Sequence, residues 1–154
     1  MNDAKRAGLF RPALFFLAAA ATLCAAACYS SNYRKELGAS TDLISELSDK
    51  LADYCHADFL IDNRPVSSEE MGEFYYALKK ARGLAAMTHG SARVSHRDFD
   101  AMLDAYHIFL RNADEYRLVG ARDPARLAAL MMQHQAVEAA AAKVRADLAN
   151  ERNR

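Results

Sequence analysis

Four stretches of the chain repeat apolar residues at helical spacing, and nowhere does an apolar–polar alternation run long enough to compete. That period requires helices with one buried face and leaves nothing from which to build a sheet. The first helix is expected from about Ser40 to Ile61, with Leu43, Leu47, Leu51 and Tyr54 on its apolar face and Asn63-Arg64-Pro65 ending it. The second opens at Ser67-Ser68-Glu69-Glu70, where Ser67 and Glu70 have the spacing of a capping box. Its stripe is Met71, Phe74, Tyr75, Leu78 and Ala85, with Gly90 at its exit. Ser95-His96-Arg97-Asp98 starts the third, whose stripe is Phe99, Met102, Leu103, Tyr106, Leu110 and Ala113, closed by Gly120. The fourth begins with Asp123 as N-cap and Pro124 in the first helical position. Leu127, Leu130, Met131, His134, Val137, Ala141 and Leu148 then recur on its face. Short connections between helices of this length predict antiparallel neighbours. The fold expected is therefore all-α, an antiparallel up-down four-helix bundle over residues 40–150, with two hairpins closing on a partner as the alternative.

Composition agrees and narrows the function classes. Within 154 residues there is no Trp, and Gly and Pro number only six and three, which disfavours a sandwich or barrel of short strands. Lys plus Arg and Asp plus Glu are 20 each, so no basic face for nucleic acid is expected. Three cysteines are too few for a disulfide scaffold.

The N-terminus has its own logic. Lys5, Arg6 and Arg11 precede an uncharged apolar block, Ala13 to Cys28, of roughly sixteen residues, short of the ~20 that span a bilayer comfortably. A basic start, a short apolar region and small residues at its end make an export signal. Ala25-Ala26-Ala27-Cys28 resembles the lipobox of bacterial lipoprotein signal peptides, although that class usually has Leu, Val or Ile where Ala25 stands. The resemblance implies removal of residues 1–27, lipidation (palmitate among the acyl chains) of Cys28, and a polar tether over 28–39. It places the mature protein at the bacterial cell envelope, facing the periplasm. Tyr29, where an Asp would favour inner-membrane retention, leans the expectation towards the outer membrane. An uncleaved single-pass inner-membrane helix and a soluble exported protein are the alternatives. Cys55 would then be the lone thiol of the mature chain, read as a small buried hydrophobe.

No catalytic constellation stands out, and no cofactor is expected. G-x-S-x-G, H-E-x-x-H, a phosphate-binding glycine loop and C-x-x-C-H are all absent. The repeated D-x-x-H of Asp53/His56 and Asp104/His107 has the look of a bundle metal motif. At 100° per residue, however, both aspartates point away from their stripes, towards water. His134 lies on an apolar stripe, so a site of His134, Met131 and Tyr106 is conceivable for a thioether-liking ion. A buried histidine bonded to tyrosine is the plainer expectation. Arg82 and Glu138 also fall on stripes at comparable depth and suggest a buried structural ion pair. Tyr76, beside Tyr75 but off its stripe, is the foremost exposed contact. These features suggest a non-enzymatic accessory or interaction protein, with an unidentified protein partner besides the membrane.

Overall fold

Among the described residues every regular element is helical. The computed structural model describes residues 10–56, 68–87, 94–119 and 122–152, and its side-chain description begins at residue 32. The elements are α1 (Phe10–His56), α2 (Ser68–Met87), α3 (Val94–Val119) and α4 (Pro124–Arg152). The chain forms two units, Met1–Glu36 and Leu37–Arg154. The expected features at Asn63-Arg64-Pro65, Ser67, Gly90 and Gly120 lie outside the described residues.

Within Leu37–Arg154 the side chains identify each helix's neighbours. α2 packs on α3, and α3 on α4. α1 meets α2 where the Tyr54 ring stands edge-on to Phe74, centroids 6.3 Å apart. It meets α4 through Asp42–Arg145, Ser45–Glu138 and Asp49–His134. Along that last interface residue numbers rise on α1 as they fall on α4. The same holds for α3 and α4, where Asp98 meets Lys143 and Asn112 meets Gln133. The result is the antiparallel up-down four-helix bundle, closed into a ring α1–α2–α3–α4.

α3 is the most apolar wall of the core. All six residues of its expected stripe are buried, and Phe109 and Tyr116 join them. α4 contributes a narrower strip, Leu130, Val137, Ala141 and Val144, while Leu127, Met131, His134 and Leu148 are half-buried.

α1 departs from expectation. Its core face is Leu37, Thr41, Ile44, Ser48, Leu51 and Cys55, alternating steps of four and three residues, and Leu43 is 41 % exposed. Thr41 Oγ1 is buried because it donates to its own helix, at Leu37 O, over 2.8 Å, whereas the buried Ser48 Oγ has no hydrogen-bond partner. Counting leucines rotated the helix away from this Ser/Thr-bearing face. The tether expected over 28–39 is likewise helical, because its only Gly is Gly38 and it contains no Pro to stop α1. Leu37, read as tether, is fully buried.

Helix starts divide between local and borrowed caps. Asp123 caps α4 as expected, its Oδ1 accepting from the backbone N–H of Ala125 at 2.9 Å and of Arg126 at 3.3 Å. Asp123→Ala is expected to cost about 1 kcal/mol, read as a lower urea midpoint with unchanged slope. Ser95, the first residue of the expected start of α3, lies just inside the helix, which begins at Val94. Its backbone N–H and hydroxyl both donate to Glu151 Oε1 of α4, at 3.3 and 2.8 Å. The carboxylate at the C-terminal end of one helix thus serves a free backbone N–H at the start of another.

Candidate functional site

The α1–α4 seam concentrates the polar chemistry. Residues four apart on a helix share a face, and here two such pairs oppose each other: Ser45 and Asp49 on α1, His134 and Glu138 on α4. His134 Nε2 lies 2.9 Å from Asp49 Oδ1, with the histidine side chain 20 % exposed and the aspartate 62 %. The imidazole leans on Phe109 behind it, centroids 5.8 Å apart. One turn along, Ser45 Oγ donates to Glu138 Oε2 at 2.7 Å, and Glu138 Oε1 is buried without a hydrogen-bond partner. One ligand atom each from Asp49, His134 and Glu138 lies within 4.8 Å of the others. One imidazole and two carboxylates can hold a proton or a dication, with the Ser45 hydroxyl hydrogen-bonded to one of the carboxylates.

The hydrogen-bond partner of His134 is Asp49 of α1. Tyr106 is fully buried, its hydroxyl unpartnered, and burial pushes its phenol well above the usual tyrosine range, with Tyr75 adding a smaller effect. The histidine's partner is therefore an aspartate, not a tyrosine. Met131 is half-buried one turn before His134 on α4, and the carboxylates of Asp49 and Glu138 supply oxygen ligand atoms near the imidazole. The expected Arg82–Glu138 pair does not form. α2 and α4 stand diagonally in the ring, so Arg82 turns to α3, donating from Nη2 to Asp104 Oδ1 at 3.0 Å and to His107 Nδ1 at 3.4 Å. Glu138 takes Ser45 instead. Depth along the bundle was readable from the sequence; adjacency was not. Asp53, His56, Asp104 and His107 are exposed, as their helical angles required. Sequence reasoning missed Asp49 and Ser45, and the signal that could have found them is the matched four-residue spacing on both helices.

A second polar group ties the start of α3 to the end of α4. Asp98 is buried, and Lys143 Nζ donates to its Oδ1 at 3.0 Å. Asp147 hydrogen-bonds to Asp98: this bond, with help from Lys143, holds the Asp98 carboxyl below its ordinary range. The same bond, followed by burial and the nearby Asp98 charge, raises Asp147. Of the two carboxyls, Asp98 is therefore the more readily ionised and Asp147 the more readily protonated.

Cys55 is a free thiol pushed up to about 12 by burial, so it stays protonated and unreactive. An open groove between α3 and α4 is floored by Asn112 and Gln133, whose amides bond each other at 3.1 Å.

Against known proteins, no family model, curated protein or solved structure matches the chain. Among the described residues no helix is long and apolar enough to cross a membrane. The apolar segment 13–28, including Cys28, lies where only the course of the helix is described.

Proposed function

We propose that this protein is exported, held at a bacterial membrane by a lipid on Cys28, and works through its bundle as a non-enzymatic accessory or interaction module. The observation that carries the reading is the order of segments: a basic start, an apolar block, small residues, Cys28, and then a separate unit starting at Leu37. The nature of the bundle is consistent with it. The Cys55 thiol is buried, the exposed His107 takes a hydrogen bond from Arg82, and Ser45 and Ser48 of α1 face α4 and the core. Tyr76 and Met87, 69 % and 72 % exposed, lie roughly 20° apart on the outer face of α2 and offer apolar contact for a protein partner.

Intact-mass measurement of membrane-extracted protein tests the anchor. The expected mass begins at Cys28 with acyl chains added, and Cys28→Ser is expected to abolish both acylation and processing. A full-length, unacylated mass would replace this reading with that of a single-pass inner-membrane protein. If the anchor holds, crosslinking of the acylated protein is expected to lose its main product on Tyr76→Ser.

A further inference from the structure

We infer that Asp49, His134 and Glu138 form a binding site for a divalent transition-metal ion, of which zinc is the type, clamped between α1 and α4. The three ligand atoms already lie within 4.8 Å of one another. Tetrahedral coordination at zinc–ligand distances of ~2.0–2.2 Å needs separations of roughly 3.3–3.6 Å, within reach of small side-chain rotations. His134 and Glu138, four residues apart on α4, present both groups from one rigid face. Asp49 reaches them from the neighbouring helix.

The independent sign is the state of Glu138. Its Oε2 is oriented by the Ser45 hydroxyl at 2.7 Å, while its Oε1 is buried with no hydrogen-bond partner. A carboxylate oxygen removed from water without a donor is unfavourable, and a bound cation removes that penalty. No lysine or arginine among the described residues pairs with Asp49 or Glu138. Arg145 turns to Asp42, and Lys50 lies over the Tyr54 and Phe74 rings. Two carboxylates thus converge with only an imidazole to balance them.

The donor set selects the ion class. An imidazole nitrogen favours zinc-like dications over calcium or magnesium, which prefer all-oxygen shells. Three protein ligands leave a coordination position for water. The ion would take the lone pair of His134 Nε2 in place of the contact with Asp49, the neutral ring keeping its one proton on Nδ1. Ser45 then acts as the group that orients a ligand, the role such hydrogen bonds play around metal centres.

The test is a titration of the full, chelator-stripped chain in detergent with Zn²⁺, and with Co²⁺ as the spectroscopic probe. The expected result is one ion per chain, cobalt ligand-field bands without thiolate charge transfer, and a thermal midpoint raised by zinc. Glu138→Gln and His134→Gln are each expected to weaken binding more than tenfold, and Ser45→Ala by roughly tenfold. Glu138→Gln keeps the shape of the side chain, so it remains informative if His134→Gln fails to fold. Absence of uptake, a thiolate band, or affinities unchanged by both Gln variants would overturn the site. All three ligands lie in the Leu37–Arg154 unit, so the outcome is independent of whether Cys28 is acylated.

Discussion

Phe109→Ala is expected to lower the stability of the bundle by about 3–5 kcal/mol, the usual cost of emptying a fully buried aromatic site. Phe109 is completely buried on α3, the helix that supplies half of the largest fully buried side chains. It also backs the His134 ring, so its loss removes packing from the α1–α4 seam as well as from the core. For a domain stable by some 5–15 kcal/mol, that is a large share of the total. In urea the midpoint should fall by roughly 1–3 M. Leu43→Ala in the same series is expected to cost less than about 1 kcal/mol, since Leu43 is 41 % exposed. The contrast matters because the periodicity of the sequence ranks Leu43 as a stripe residue and passes over Phe109. Equal costs would mean that α1 is rotated differently from the arrangement described above.

The class of fold and the extent of α3 were legible because apolar side chains fill nearly every inward position of that helix. α1 was harder to read because two of the six residues on its inward face are hydroxylic. Thr41 and Ser48 look solvent-facing by residue type, yet steps of four and three residues from Leu37 place them in the core. Leu37 itself was hidden behind Arg34, Lys35 and Glu36, whose charges suggested a tether. The seam was harder still. Helical counting placed His134 and Glu138 at the right depth but could not say which helix lies beside them. Once α1 is known to neighbour α4, the spacing of Ser45 and Asp49 selects their partners. The cap that Glu151 provides for Ser95 had no local signal at all, because 56 positions separate donor and acceptor.

Lys143→Met should produce the second-largest loss, about 1–2 kcal/mol near neutral pH, because it removes from a buried carboxylate the nearer of its two cations. Lys143 stands at 3.0 Å and Arg97 at 3.5 Å, with the lysine itself largely in solvent. Its dependence on pH distinguishes this origin from simple packing of the lysine stem. Asp98 is held below the ordinary carboxylate range by the bond from Asp147 and then by Lys143. Its contribution is therefore present above the unfolded carboxylate pKa and lost as pH falls through the folded value. Asp147 is raised, chiefly by sharing its proton with Asp98. Its contribution is present below the unfolded pKa and lost as pH rises through the folded value. Without Lys143 both carboxyls ionise less readily, so the destabilisation should be greatest at neutral pH and shrink on acidification. A loss that stays constant across the carboxylate range would assign Lys143 a packing role instead. Asp147→Asn supplies the complementary measurement, because its amide N–H can donate to Asp98 without titrating. That variant is expected to gain stability relative to the native protein as pH rises from the carboxylate range to neutrality. The gain identifies the ionising Asp147 as the group that loosens the junction between the start of α3 and the end of α4.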